Sequence, residues 1–508
     1  MSTIHHTVIV GTGFSGIAMG IQLKKAGIDD FIILERAGDV GGTWRDNTYP
    51  GAACDVPSHL YSFSFEPNKK WSRSFSPQPE ILEYIKNCAR KYGIYEHIRF
   101  NSNVASATYD AAHGRWSVAT DDATIHVGRT FVIGTGGLSR PVYPNIPGLK
   151  EFKGALFHSA AWNHEASLDN KRVAVIGTGA SAIQIVPAIA AKVAKLHLFQ
   201  RSGAWVLPKQ DKAYSRWQMA LKVHVPWFER LMRAMIYWRL ELFGLGLRYP
   251  KIMEWAKKGF LGWIAKNVRD ESLRQKLTPQ YTPGCKRILF SDDFYPAVTR
   301  HNVEVVTTAI QKVSGNTVVT SDGQSYEVDA LICATGFQAA DSPSPFPIYG
   351  KGRQQLADTW ANGAEAYRGC VVPGFPNMFI VTGPNTGLGH TSMVLIIEAA
   401  VGYIVGAIKN MQNKSLKSME IEASRSNAYN TDLAAKLKGM VWAQGGCMSW
   451  YNTTEGKNVT LYPRSTIAFK AMLWSFDLAS YQVEVLEEKA TAGESEATAP
   501  IIEGLSAY

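Results

Sequence analysis

What most constrains this chain is a pattern that it writes twice. From Thr7 it reads TVIVGTGFSGIAMGIQLKKAG, and from Arg172 it reads RVAVIGTGASAIQIVPAIA. Each stretch is an apolar β-rich run, a glycine turn, then apolar residues at helical spacing. A strand before and a helix after is the context in which G-x-G-x-x-G marks a dinucleotide-binding unit. The first glycine, Gly11 or Gly177, makes the tight turn, and the second, Gly13 or Gly179, lets backbone approach a pyrophosphate. The third position, Gly16 or Ala182, packs helix against strand, while the helix N-terminus offers N–H groups to phosphate oxygens. Each copy also has a closing strand, in TFVIGTGG near residue 137 and in ALICATGF at Phe337. The predicted fold class is therefore α/β, with two Rossmann-like dinucleotide-binding domains.

One offset decides which nucleotide each domain takes. Gly11 to Glu35 is 24 residues, and Gly177 to Arg201 is also 24. Both residues fall at the end of the second strand of their unit, where a ribose 2′ position sits. A carboxylate at Glu35 accepts the 2′-OH of an adenosine ribose and repels a 2′-phosphate. Arg201, with Ser202 beside it, favours the 2′-phosphate. The first domain is expected to hold FAD and the second NADPH.

The domain reading follows. Residues 1–140 form the first part of the FAD domain, and 141–339 form the NADPH domain. Residues 340–485 complete the FAD domain with a C-terminal loop, and 486–508 are a loosely ordered tail. Within the second domain, about Lys212 to Gln280 is a helical insertion rich in Trp and basic residues. Such a segment is either a membrane-surface or partner-binding helix or, more commonly, a cap packed over a cleft. The net charge of +10 carries no block of five like charges, so it reads as diffuse, which suits polyanionic nucleotides better than nucleic acid. Six cysteines without a C-x-x-C pair point to buried thiols rather than a disulfide framework or a metal site. The start of the chain has no basic region followed by an apolar signal core, so a cytoplasmic protein is expected. The longest apolar run, Met393 to Ile408, contains Glu398 and is short for a membrane span. It reads as a buried helix.

Between the two glycine turns lies FKGALFHSAAW, with Phe152, Gly154, His158 and Trp162 spaced as F-x-G-x-x-x-H-x-x-x-W. Around it, in order, are GGTWRDNTYPGAACDVPSHLYSFSF, FQRSGAW, PGCKR, ATGF, GPNTGLGH and CMSWYNTTEGKN. Together these blocks resemble the type I Baeyer–Villiger monooxygenases, of the class B flavoprotein monooxygenases, over nearly the whole chain except the tail. The resemblance implies an NADPH- and O2-dependent enzyme. It inserts one oxygen beside the carbonyl of a small-molecule ketone through a flavin peroxide, giving an ester or lactone, with sulfoxidation as a side activity. His158 then couples cofactor binding to domain position and is no general base.

The resemblance also implies site residues. Arg287 in PGCKR matches the catalytic arginine, whose permanent charge meets the oxyanion of the intermediate. Asp55 in AACDVPS matches the flavin-side aspartate that orients it. Lys286 helps hold the nicotinamide nucleotide. Thr43, Trp44, Arg45 and Tyr61 border the flavin, Ser15 belongs to its phosphate loop, and the Val104 backbone meets the adenine. Thr178, Gly179, Ala180, Ser181 and Gln184 form the pyrophosphate side of the NADPH site. Trp450 sits on a loop that closes over the bound nucleotide. There are two departures: Asn163 follows the fingerprint in place of Pro or Asp, and WYNTTEGKN replaces the GANIPGK block of the cyclic-ketone branch. The ketone class and the oligomeric state stay open. Two rival readings are a flavin monooxygenase acting on nitrogen or sulfur and a non-catalytic nucleotide-binding protein. No metal, nucleic acid or membrane span is expected.

Overall fold

The computed structural model describes residues 4–338 and 344–486. The expected tail, from residue 487 on, lies outside the described residues. The first module begins with β1 (Ile4–Val10), α1 (Phe14–Lys25) and β2 (Phe31–Leu34). After the short α2 (Thr43–Asp46) and α3 (Gln78–Lys91) come β3 (Ile98–Arg99), β4 (Val104–Asp110), β5 (Arg115–Thr120) and β6 (Ile125–Ile133). β1 runs parallel to both β2 and β6, with Val10 in register with Leu34 and Ile133. A parallel strand covered on both faces must be apolar along its length. Hence the last four residues of β1 and all of β2 are buried.

The second module follows. β7 (Ala155–His158), β8 (Arg172–Ile176), α4 (Ala182–Ala190) and β9 (Lys195–Phe199) precede a short strand, β10 (Val206–Leu207). Four helices then intervene: α5 (Arg216–His224), α6 (Pro226–Arg248), α7 (Pro250–Asn267) and α8 (Glu271–Leu277). Next come β11 (Leu289–Phe290), which pairs with β10, then α9 (Phe294–Val298) and β12 (Val303–Val306). An antiparallel meander of β13 (Ile310–Ser314), β14 (Thr317–Thr320) and β15 (Ser325–Glu327) leads to β16 (Ala330–Cys333). The sheet order is β12-β9-β8-β16-β7, parallel throughout.

The fingerprint segment is more than a connector. Its middle is β7, an edge strand in register with β16 from Ala155–Ala330 to His158–Cys333. Gly154 is held between the Phe152 ring and the Asp329 carbonyl, where a Cβ would lie 2.7 and 2.4 Å from them. Phe157 and Trp162 meet edge-on at 4.9 Å.

The chain then returns to the first sheet. β17 (Ile348–Tyr349) pairs with β4 and, after α10 (Leu356–Thr359), β18 (Met378–Ile380) pairs with β6. Strands from both ends of the chain thus share one eight-stranded sheet. α11 (Met393–Asn413) packs on α1 within that module's core, as its apolar sequence leads one to expect. It is the only helix among the described residues long and apolar enough to cross a membrane. Glu398 on it accepts the Ser64 backbone N–H at 2.5 Å, and burial raises its pKa.

Candidate active site

Both glycine turns have the geometry that their sequence requires. Gly11 (φ +96°) lies against the Gly134 carbonyl, and Gly177 (φ +126°) against the Ala334 carbonyl. A side chain at either position is excluded by contact as well as by backbone conformation. Neither α1 nor α4 has a side-chain cap, and neither carries an acid in its first turn. Their leading N–H groups are left for an anion.

The two modules differ in what stands beside the turn. Glu35, just beyond β2, is 4% exposed. Its carboxylate accepts the backbone N–H of Thr12 at 3.0 Å, the Thr12 hydroxyl at 2.5 Å and the Ala37 N–H at 2.9 Å. Arg45 donates to it at 2.9 Å, so Arg45 serves the Glu35 end of the module. Ser102 N–H bonds the Glu35 carbonyl at 2.8 Å, which sets the segment leading into Val104 alongside. Ser15 is buried in α1. Trp44 in α2, next to Thr43, donates to the Tyr61 hydroxyl at 3.0 Å.

In the second module the corresponding corner is cationic. Arg201 is exposed, two residues beyond β9, and makes no ion pair among the described residues. Lys286 donates to the Ser202 hydroxyl at 3.5 Å, and the Ser202 carbonyl accepts from Thr178 at 3.4 Å. Burial lowers the pKa of Lys286, and the neighbouring charge of Arg201 lowers it further. Gly179 and Ala180 are exposed, and a Cβ at Gly179 would meet nothing within 4 Å. Two cations beside an open phosphate loop fit a nucleotide with an extra phosphate.

One expected loop residue is spent elsewhere. Gln184 takes the Tyr49 hydroxyl at 2.9 Å and donates to the Ala53 carbonyl at 3.0 Å. Its amide bridges the second module to the loop ahead of Asp55, because α4 presents it there and not toward the turn.

Between the modules, Arg287 grips Asp55. Nε and Nη2 donate to the same carboxylate oxygen at 3.0 and 2.7 Å. The Arg287 side chain is 37% exposed and that of Asp55 19%. Asp55 raises the pKa of Arg287, so this cation persists at any working pH. Around the pair stand groups that the sequence did not single out. Burial pushes the Tyr451 phenol up to about 12, with Arg287 and Asp55 both close enough to act on it. Cys54 is buried, and its thiol is raised first by burial and then by Asp55. Tyr451 had only one signal, its place beside Trp450.

The fingerprint histidine does not reach this pair. His158 is fully buried in the second module, and its Nδ1 accepts the Ala160 N–H at 3.0 Å. Burial lowers its pKa. Trp450 is 47% exposed and leans on Tyr451 at 4.7 Å between ring centres. Its loop is tied back by a bond that contradicts the expectation of six free thiols: Cys285 and Cys447 form a disulfide. The two are 162 residues apart, and the fold joins them where Gly445 packs on Cys285. The other four cysteines are free and buried.

Comparison with known proteins gives the family. Residues 5–347 match the model of the flavin-binding monooxygenase-like family. A Baeyer–Villiger monooxygenase of Pseudomonas aeruginosa is 43% identical over 489 residues, covering 96% of this chain and 93% of the relative. The chain belongs to the Baeyer–Villiger monooxygenases. A second member, from Streptomyces coelicolor, is also 43% identical, over 94% of this chain and 92% of its own. Among solved structures, a cyclohexanone monooxygenase from Rhodococcus sp. Phi1 bound to NADP+ superposes with a TM-score of 0.86. It is 26% identical, over 96% of this chain and all of the other. An oxidised steroid monooxygenase bound to NADP gives a TM-score of 0.85 at 29% identity, over 95% and 99%. In this chain the fold brings Asp55 and Arg287 into one ion pair across 232 residues of sequence.

Proposed function

We propose that this chain is an NADPH- and O2-dependent Baeyer–Villiger monooxygenase that converts a ketone to an ester or lactone. FAD, when bound, would supply the oxygen-activating chemistry, with NADPH as the source of its electrons. The residues of the chain do the rest. Glu35 and the first glycine turn hold the adenosine end of FAD. The second turn holds the NADPH pyrophosphate, with Arg201, Ser202 and Lys286 on its 2′-phosphate. Arg287, aimed by Asp55, keeps a fixed positive charge where the carbonyl oxygen becomes an oxyanion, and so lowers the barrier. Trp450 covers the nucleotide and excludes water. We assign residues 1–140 and 340–485 to the FAD domain, 141–339 to the NADPH domain, and the protein to the cytoplasm.

The observation that carries the reading is the Asp55–Arg287 pair, held between one turn suited to a 2′-OH and another suited to a 2′-phosphate. The test is product mass after incubating the yellow enzyme with NADPH, air and a panel of ketones plus one sulfide. Esters heavier than their ketones by one oxygen are expected. Hydrogen peroxide alone, or oxidation of the sulfide alone, would overturn it.

A further inference from the structure

The inner face of α6 is bonded to residues of the first module and the C-terminal part of the chain. Glu229 bonds His59 at 2.6 Å, Arg233 donates to the carbonyls of His59 and Ser62, and Glu241 takes the Thr466 N–H at 3.0 Å. The outer face is another matter. Trp227, Leu231, Met235, Trp238, Leu242 and Leu245 recur every three or four residues along α6, and every one of them is exposed. Trp238 is 56% exposed and Leu242 66%. At 1.5 Å per residue this stripe is about 27 Å long. A helix apolar on both faces is normally buried, and a contiguous apolar patch of this size marks an interaction surface. Trp474 (85% exposed) lines a groove together with Trp238, and Trp255 on α7 is 79% exposed. The groove, of about 780 Å³ and lined also by Leu60, Arg233 and Tyr237 among others, opens at the edge of the stripe, beside Trp238.

The charge beside the stripe identifies its partner. Arg216, Arg230, Arg239, Lys251 and Lys258 are exposed and make no ion pair among the described residues. The only exposed acid from Arg216 to Asn267 is Glu254, because Glu229 and Glu241 are turned inward. The exposed surface of this insertion therefore carries a marked excess of cations. A second copy pairing through this face would set cations against cations. A bilayer surface with anionic headgroups meets both features at once, since Trp rings favour the headgroup level and cations reach the phosphates.

We propose that α6 and α7, with Trp474, form a docking face that seats the enzyme on an anionic lipid surface without spanning it. The test is flotation of the purified yellow holoenzyme with phosphatidylcholine–phosphatidylglycerol vesicles and with pure phosphatidylcholine vesicles. Binding to the anionic vesicles is expected, and raised salt should weaken it. The Trp227→Ser/Trp238→Ser enzyme should partition at least about tenfold less, as should Arg230→Glu/Arg239→Glu, with NADPH oxidation in solution unchanged. Failure to float at low salt, or equal partitioning of wild type and both variants, would overturn the proposal. A wild-type dimer that the tryptophan variant converts to monomer, with no vesicle binding, would overturn it too and give the face to a second copy.

Discussion

The two glycine-loop modules are the same scaffold carrying opposite charge. In both, a positive-φ glycine closes the turn and an uncapped helix follows. Beyond the second strand, the first module has a buried carboxylate already holding backbone N–H groups, and the second has exposed Arg201 beside Lys286. The helix end binds a pyrophosphate in either case, so the residue after the strand does the discriminating. Their meeting point, Asp55 with Arg287, belongs to neither module alone.

The sharpest way to separate binding from chemistry is at that meeting point. Arg287→Ala should still take up FAD and be reduced by NADPH, yet its ester formation should fall about a hundred- to thousandfold. Normal ester yield would end the assignment. Next in size is the first module: Glu35→Ala removes the carboxylate that orders Thr12, and the FAD dissociation constant should rise about a hundredfold. Flavin fluorescence titration measures it, and unchanged affinity would put the ribose elsewhere.

Smaller again, and confined to the second module, Arg201→Ala should raise the KM for NADPH about ten- to a hundredfold and leave that for NADH nearly untouched. Equal effects on both cofactors would mean that the arginine does not meet the 2′-phosphate. The smallest effect concerns the tether. Cys285→Ser should cost about 2 kcal/mol of stability. It should raise the KM for NADPH by less than about tenfold, because it loosens the Trp450 loop and leaves Arg201 in place. Thermal unfolding and kinetics with and without dithiothreitol read both, and no change would mean that the two cysteines are unpaired in solution.

The sequence by itself determined what short-range rules govern. Strand, turn, helix and the offset to Glu35 or Arg201 all lie within one βαβ unit, and the structure puts both residues just past their strands. The partnership of Asp55 with Arg287 was legible only through family resemblance, since no periodicity links residues so far apart. Nothing local announced that Cys285 would meet Cys447, that FKGALFHSAAW would supply an edge strand, or that Gln184 would turn to Ala53. These depend on which surfaces pack together.

The same limit applies to the two long apolar helices. Met393–Asn413 and Pro226–Arg248 both carry apolar residues around their circumference, yet one is enclosed by the first module's core and the other turns a row of tryptophan, leucine and methionine to solvent. Hydropathy sets how much apolar surface a helix has. Only the tertiary structure decides how much of it is covered, because covering requires neighbours that the helix's own residues do not encode.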